Sequence, residues 1–265
     1  MRVARLILSF ALIFGSSPRL NSQQSAETPQ RDPFAIQVLS QCLNAAGGMQ
    51  PLSGVQDYTA TGVVTYFWAG GPDHGSATVR GRGDGQFRFD ANLPKGQRFW
   101  TVSKSVGSVK EIDGTLRSIP YHNALHLGSL TFPFPKVLAA LQDSSWTISY
   151  MGVAEVSGHQ AHRIGIRKNL VAKADPGGLL ARLTAQEFFV DTVTSQLLRT
   201  VDMVHPEKKS TVDYQHEVEF SDYRVVGGVL VPFLITESIG EVKLWTLRLN
   251  QINFNTGLAD SDFLP

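Results

Sequence analysis

The sequence predicts a mainly β (α+β) protein in which a single curved antiparallel sheet forms a half-open barrel, covered by an N-terminal helix and a short helical lid. Three observations predict this fold. Apolar side chains occupy every second position in many short segments, turns rich in glycine and proline separate those segments, and two segments carry a helical pattern. A period of two is typical of strands with one buried face, and short turns connect antiparallel neighbours.

The size, composition and charge of the chain limit the classes of function. The sequence has 265 residues, of which 42% are apolar, enough for a substantial core in one globular domain, which we assign to residues 32–265. Lysine and arginine number 24 against 23 aspartate and glutamate residues, and neither sign is concentrated in a block. We therefore expect no nucleic-acid partner.

The N-terminal residues have the layout of a secretory signal peptide. Arg2 and Arg5 precede an apolar run over residues 6–14, which small and polar residues follow. This run is too short to span a bilayer. We assign residues 1–25 to a signal peptide and flexible leader, and we expect a periplasmic or secreted protein. Because Cys42 is the only cysteine, packing and not an internal disulfide would hold an exported chain together.

An amphipathic helix is predicted to follow the leader. Asp32 can cap this helix, Pro33 can occupy its first turn, and Gly47-Gly48 ends it. Its apolar face, which includes Leu39 and Leu43, needs a large apolar surface to lie against. The curved sheet is the element of sufficient size.

The next segments predict an antiparallel meander. Turn-forming residues, among them Gly70-Gly71-Pro72 and Asp113-Gly114, separate stretches in which apolar and polar residues alternate. The predicted strands cover Asp57–Trp68, Ser76–Arg82, Gln86–Asn92, Arg98–Ser103 and Ser108–Ile112.

This alternation is interrupted between residues 119 and 143. Pro133 and Pro135 prevent regular strand pairing, and Pro135 is suited to the start of a short helix. We interpret Tyr121 to Gln142, called the lid below, as a helical insert over the sheet. Four strands are predicted after the lid, and a loop over residues 169–182 separates the second from the third. They cover Trp146–Val156, Ala161–Lys168, Thr184–Asp191 and Gln196–Val204.

The last stretch, Thr211 to Pro265, predicts three long strands. Gly227-Gly228 separates two apolar, β-branched runs and indicates a tight hairpin. The strand over Lys243 to Phe254 changes the parity of its apolar side chains, which predicts a bulge near Asn250. Pro232 lacks an N–H donor, which predicts an edge or a bulge at its position.

The order of these elements and three loose motifs resemble a known superfamily. The motifs are FFVDTVTSQLLRT, FSDYRVVGGVLVPFLI and the C-terminal NTGLADSDFLP. Together they resemble the outer-membrane lipoprotein carrier superfamily, which includes LolA-like carriers, LppX-like lipid carriers and the sensor RseB. The resemblance covers residues 32–265. It implies a half-open barrel whose concave apolar face is covered by helices and holds acyl chains or hydrophobic peptide segments.

Four histidines occupy positions that could carry chemistry. His122 and His126 have the spacing of two metal ligands on one helix face, but the glutamate of the metalloprotease motif is absent between them. His162 and His216 share parity with apolar neighbours, so each could face a cavity and bind a polar head group or act as a base. The sequence has no Gly-x-Ser-x-Gly motif. We assign no catalytic residue, no metal site and no cofactor.

Aromatic and aliphatic residues at strand ends, in the helix and in the lid indicate an apolar pocket for an elongated ligand. The predicted ligand-binding residues are Leu39, Leu43, Phe67, Trp100, Phe132, Phe134, Leu138, Tyr214, His216 and Trp245.

These residues favour an exported, non-enzymatic and monomeric carrier of a hydrophobic small molecule, a lipid or a lipoprotein acyl chain, with peripheral contact to a membrane. Two alternatives remain open. One is an envelope sensor or scaffold that recognises a partner protein, and the other is a hydrolase that uses the cavity histidines.

Overall fold

Thirteen strands form one open antiparallel sheet in the computed structural model, which describes residues 30–83, 85–170, 173–175 and 177–265. The predicted signal peptide lies outside these residues. In chain order the strands are β1 (Asp57–Trp68), β2 (Gly71–Arg82), β3 (Gln86–Leu93), β4 (Gly96–Ser103), β5 (Val106–Lys110), β6 (Leu116–Ile119), β7 (Trp146–Val156), β8 (His159–Lys168), β9 (Gln186–Asp191), β10 (Leu197–Val204), β11 (Tyr214–Val226), β12 (Val229–Ile239) and β13 (Val242–Phe254).

The order of strands across the sheet is β6-β5-β4-β3-β2-β1-β13-β12-β11-β10-β9-β8-β7. Strands that follow each other in the chain are neighbours, except β6 and β7, which form the two opposite edges of the sheet. The pairing of β1 with β13 joins the two halves. The predicted fold class, a mainly β chain with a single open antiparallel sheet, is confirmed.

The helices of the described chain are few and short. They are α1 (Pro33–Ala45), α2 (Met49–Ser53), α3 (Tyr121–Ala124), α4 (Phe134–Gln142), α5 (Leu179–Leu183) and the 3₁₀ helices Leu127–Ser129 and Asp260–Phe263. The lid thus consists of α3, a 3₁₀ turn and α4. The sequence prediction has no counterpart for β6, α2 and α5, because segments of four or five residues are too short to show a period.

Helix α1 begins and ends close to the predicted residues. Asp32 Oδ1 accepts hydrogen bonds from the backbone N–H groups of Phe34 and Ala35, at 2.8 and 3.0 Å. The helix lies against α4 and against strands β7, β8 and β9. Arg31, just before the cap, donates to the carbonyl oxygen of Leu141 at 2.8 Å and so ties the end of α4 to the start of α1.

The last three strands have the predicted irregularities. Gly227 and Gly228 form a two-residue hairpin between Val226 and Val229, both with positive φ. The register between β1 and β13 shifts between Gln251 and Leu249, which leaves Asn250 as the extra residue. The bulge predicted near Asn250 is therefore confirmed.

Pro232 lies where β12 has an edge. The last pair between β12 and β13 is Leu234 with Arg248, so Pro232 lies beyond their ladder. In this part of β12 a hydrogen bond joins the strand to the end of α1 instead: Leu230 N donates to Ala46 O at 2.9 Å. The prediction that Pro232 occupies an edge is confirmed, although the strand itself is central in the sheet.

The inward face of the sheet packs on α1 and on the lid in one apolar cluster. Leu39 and Leu43 from α1 and Phe132 and Phe134 from the lid are almost fully buried there, among the inward side chains of both halves of the sheet. Among the described helices, none is long and apolar enough to cross a membrane alone. Residues 121–129 and 134–142 meet that criterion only together, as a pair bent by 101°.

A cavity at one end of the half-open barrel

The packing of the concave face leaves a cavity of about 600 Å³ at one end. Its walls come from β4, β5 and β6 on one side, from β10 to β13 on the other, and from the first part of the lid. The apolar side chains of the lining are Trp100, Val109, Ile119, Leu127, Val204, Ile239 and Leu244. A volume of this size is in the range of small-molecule sites.

Strand alternation places three ionisable side chains on the floor of this cavity. Asp202 in β10 and Glu237 in β12 flank His216, which lies in β11 between those strands. Their side chains point inward because each follows the parity of buried neighbours, such as Val218 beside His216 and Ile235 beside Glu237. We call these three residues the His216 cluster.

Both imidazole nitrogens of the cluster are engaged. His216 Nδ1 donates to Asp202 Oδ1 at 3.0 Å, and Nε2 donates to Glu237 Oε1 at 2.9 Å. Gln186 Nε2 donates to the second oxygen of Asp202 at 3.2 Å. The side chains of His216 and Asp202 are 5% and 2% exposed, so water hardly screens these charges.

The two carboxylates determine the protonation of His216. Burial alone would lower the pKa of the imidazole, but attraction to Asp202 and the hydrogen bonds to Asp202 and Glu237 raise it to about 10. Burial likewise opposes ionisation of Asp202, yet the nearby histidines and Lys136 hold its pKa well below its ordinary value. His216 is therefore an imidazolium at neutral pH.

The opposite wall of the cavity carries a second charged group. Arg98 donates from Nε to Glu111 Oε2 at 2.9 Å and from Nη1 to the hydroxyl of Tyr66 at 3.2 Å. Its guanidinium carbon lies 5.0 Å from the centre of a Trp100 ring, a distance that allows a cation–π interaction. Trp100 in turn lies 5.9 Å from Trp245, centre to centre.

Polar contacts across the mouth join the two halves of the sheet. Arg117 in β6 donates to Glu207 Oε1, in the loop after β10, at 2.6 Å. Asn123 in α3 donates to His205 O at 2.7 Å and accepts from His205 N at 2.9 Å. These contacts connect residues that are more than 80 positions apart, so they hold the first half of the chain against the second.

The predicted ligand-binding residues fall into three groups. Trp100, Tyr214 and His216 line the cavity, and Trp245 lies behind Trp100. The residues from α1 and the lid pack beneath the helices and not in the cavity; these are Leu39, Leu43, Phe132, Phe134 and Leu138.

Phe67 lies apart from both groups. It alternates with the buried Tyr66, is 39% exposed, and has Lys243 Nζ 5.5 Å from its ring centre.

The other histidines have separate partners. His126 is buried, with Nε2 2.9 Å from Leu183 O and Nδ1 3.2 Å from Lys136 Nζ. Burial lowers the pKa of His126 to about 4, so it is neutral at pH 7. The ring of His122 packs instead on His205, and His162 packs on Phe34 and Tyr150. Within the described residues, no three His, Cys, Asp or Glu side chains are arranged to hold a metal ion.

Sequence reasoning missed the partners of His216. Glu237 shares its parity in β12 with four buried apolar residues, so an inward carboxylate could have been read from the alternation. Asp202 and Arg98 gave a weaker signal, because their strands are shorter and partly polar. These side chains line one cavity because of the order of the strands in the sheet. Local sequence patterns do not reveal that order.

Comparison with known proteins rests on three-dimensional structure. No protein-family model matches the sequence, and no curated protein does. A domain from Vibrio parahaemolyticus, described as an outer membrane lipoprotein-sorting protein, is 12% identical with a TM-score of 0.54; the match covers 86% of this chain and 95% of that one. A LolA superfamily protein from Nitrosomonas europaea is 7% identical, with a TM-score of 0.53 and coverage of 87% and 97%.

This chain has a LolA-like fold. A DUF1329 family protein from Desulfovibrio piger shares it at 13% identity, with a TM-score of 0.51 and coverage of 89% and 98%. The resemblance inferred from the order of elements is confirmed at the level of the fold. Identities this low show the fold alone.

Proposed function

We propose that this protein is an exported, non-enzymatic binding protein that holds the apolar part of an amphiphilic molecule, such as a lipid or a lipoprotein acyl chain. The cavity of about 600 Å³, with its largely apolar walls, carries this proposal. Such a space forfeits dispersion contacts that a filled core would have, and a ligand restores them. The fold shared with a domain described in terms of lipoprotein sorting supports the same class of ligand.

The cavity has enough apolar wall to supply useful affinity. Burial of each methylene group contributes about 0.8 kcal/mol, so about ten methylenes reach roughly 8 kcal/mol and a micromolar Kd. The chain would leave the cavity at the mouth, where Tyr214 and Leu116 are more than half exposed. Exposed apolar residues at this end suit peripheral contact of a monomer with a membrane.

The chemistry of the side chains supports a binding role over catalysis. His216 has both nitrogens engaged by carboxylates, so neither nitrogen is available to take a proton from a substrate. Burial raises the pKa of the Cys42 thiol to about 12, which keeps it protonated inside α1. Neither group is poised as a nucleophile or as a general base.

Displacement of the neutral dye Nile red by 1-octanol, 1-decanol and 1-dodecanol tests the proposal. We expect Kd to fall about fourfold for each added methylene, because each contributes about 0.8 kcal/mol. Native mass spectrometry of the purified protein should also reveal a co-purifying lipid.

A variant that fills the cavity provides the control for location. Leu244→Trp should abolish dye binding, because Leu244 lines the cavity. Val225→Trp places the same side chain at a position that is 72% exposed near the Gly227-Gly228 hairpin, and it should bind like the unmodified protein. Absence of dye binding, of chain-length dependence and of any co-purifying lipid would refute the proposed function.

A second candidate is recognition of a partner protein by an edge of the sheet. Within the described residues, β7 pairs with β8 on one side, and on its other side only a bridge between Arg31 and Ile148 is formed. The remaining edge could accept an added strand. A photo-crosslinking residue at Val153, which is 53% exposed, should then capture one dominant envelope protein, whereas the same residue at Val225 should not.

A further inference from the structure

The charged side chains that line the cavity contain more carboxylates than cations. The carboxylates are Glu111, Asp202, Glu207 and Glu237, and the cations are Arg98, Arg117 and His216. His126 is neutral, and His205 lies at the mouth with Nδ1 3.1 Å from the carboxylate of Asp213. The lining as a whole therefore has an excess of negative charge.

Each cation of the lining is already paired with a carboxylate. Arg98 binds Glu111 at 2.9 Å, and Arg117 binds both Glu111 and Glu207 at 2.5 and 2.6 Å. His216 lies between two carboxylates at 3.0 and 2.9 Å. Lys136 is outside the lining, where its Nζ is 3.2 Å from His126 Nδ1. An anionic head group would thus have to compete with an existing ion pair for every cation.

The floor of the cavity also offers an unpaired hydrogen-bond acceptor. Glu237 uses Oε1 to accept from His216, and its Oε2 accepts no hydrogen bond from any described residue. Its side chain is 9% exposed and lines the cavity, so a ligand is the group best placed to satisfy that oxygen. The lining also includes Trp100, whose buried indole N–H has no acceptor within the described chain.

From this geometry we propose that the floor of the cavity selects amphiphiles whose head group donates hydrogen bonds, an amine or a hydroxyl, and disfavours carboxylate and phosphate head groups. This inference rests on the proposed function and specifies its ligand class. The head group would lie against Glu237, with the alkyl chain along the apolar walls toward the mouth.

Discrimination follows from the cost of burying charge. A cationic amine beside Glu237 forms a charge-assisted hydrogen bond and offsets the negative excess of the lining. A carboxylate at the same place would lose its hydration without gaining an unpaired cation as a partner. It would also be repelled by Glu237 and Asp202. A hydroxyl lies between the two, since it can donate to Glu237 without adding charge.

The test compares three ligands with the same alkyl chain and different head groups. Dodecylamine, 1-dodecanol and dodecanoate are used to displace Nile red from the full chain at neutral pH and below their micelle concentrations. We expect dodecylamine to bind most tightly and dodecanoate most weakly, with Kd values that differ by about tenfold or more. Equal or tighter binding of dodecanoate overturns the inference, whatever the behaviour of any variant.

Two matched variants locate the selectivity. Glu237→Gln should lower the preference for dodecylamine over dodecanoate by about tenfold, because it removes the unpaired acceptor and one negative charge. Glu241→Gln makes the same change at an exposed position two residues beyond β12, and it should leave the preference unchanged. An unchanged preference in Glu237→Gln, with folding verified by circular dichroism, contradicts the inference.

The outcome also separates this inference from the proposed function. If 1-alkanols bind with the expected dependence on chain length but the order of head groups is reversed, only the head-group selectivity fails. If none of the three ligands displaces the dye and chain length has no effect, the proposed function fails as well.

Discussion

The concave side of the sheet contains two regions that differ in what occupies them. Under α1 and α4, apolar side chains such as Leu39 and Phe134 fill the space and are almost fully buried. At the end formed by β4 to β6 and β10 to β13, the space stays open, and the charged His216 cluster lies on its floor. The helices α1 and α4 therefore cover and fill one part of the concave face. The part that they do not cover stays open.

This difference indicates a division of labour. The filled region contributes stability by burying apolar surface, and the open region lacks that packing and forms the ligand site that we propose. Substitutions in the first region should change stability without changing affinity, and substitutions of apolar wall residues in the second should do the reverse. The His216 cluster is the exception, because its charges are buried and coupled.

The largest expected effect concerns this exception. His216→Ala leaves Asp202 and Glu237 buried without the cation between them, and the free energy of unfolding should fall by about 4 kcal/mol. Chemical denaturation at neutral pH measures the loss. A change below about 1 kcal/mol would mean that the cluster contributes little to the fold.

The same residue predicts a pH dependence with a defined sign. The pKa of His216 is raised from 6.5 to about 10, so its contribution is complete below pH 6.5 and is lost as pH rises through about 10. The free energy of unfolding of the unmodified protein should therefore fall between pH 7 and pH 10. His216→Ala should flatten this slope, while substitution of the exposed His74 by alanine should preserve it.

A pair of leucine substitutions tests the division directly. Leu39→Ala in the filled region should cost about 3 kcal/mol of stability and leave the affinity of the folded protein for 1-dodecanol unchanged. Leu244→Ala in the cavity wall should cost less than about 1.5 kcal/mol but weaken that affinity several-fold. Thermal unfolding and dye displacement on both variants provide the comparison, and equal effects on both measurements would refute it.

Two neighbouring glycines show how closely the cover is attached to the sheet. A Cβ at Gly47 would lie 2.3 Å from the carbonyl oxygen of Gly228, whereas a Cβ at Gly48 would meet nothing within 4 Å. Both residues have positive φ. Gly47→Ala should therefore destabilise the protein by about 2 to 3 kcal/mol and Gly48→Ala by about 1 kcal/mol, measured by urea denaturation. Equal costs would show that the backbones separate easily.

The smallest effect on stability is expected at the mouth. Arg117→Met removes the ion pairs of this half-exposed side chain to Glu111 and to Glu207, so stability should change by less than about 1 kcal/mol. The Arg117 and Glu207 side chains are 47% and 57% exposed. Because the pair with Glu207 spans the two halves of the sheet, its loss should accelerate both association and dissociation of Nile red in stopped-flow experiments. Substitution of Lys95, which pairs with Asp73 away from the cavity, is the control and should leave both rates unchanged.

Local patterns were sufficient for much of the fold. The alternation in β11, the hairpin at Gly227-Gly228 and the bulge at Asn250 were all predicted, because each depends on residues within one or two strands. The helix from Pro33 was predicted for the same reason, since its cap and its apolar face are contiguous. The lid was predicted as an insert, but its division into α3, a 3₁₀ turn and α4 was not.

The candidate site was predicted less completely. Phe132, Phe134 and Trp245 were predicted to bind a ligand, and the structure places them among the buried side chains outside the cavity lining. Hydrophobicity does not distinguish a side chain that packs from one that lines a cavity. Phe67 was predicted to bind a ligand because it is an aromatic residue at a strand end. The residues that share its parity in the second half of β1 are partly or fully exposed, as Phe67 is. His216 was recognised as inward, while its two carboxylate partners were missed.

The sequence by itself determined which residues face inward, where the strands turn and where a helix could cover the sheet, because these properties depend on neighbours along the chain. Only the tertiary structure decided which part of the concave face is filled and which stays open. That outcome depends on the pairing of β1 with β13 and on contacts such as Arg117 with Glu207, between residues about 90 positions apart. Local periodicity carries no information on such distances, so the charged floor of the cavity is a property of the folded chain.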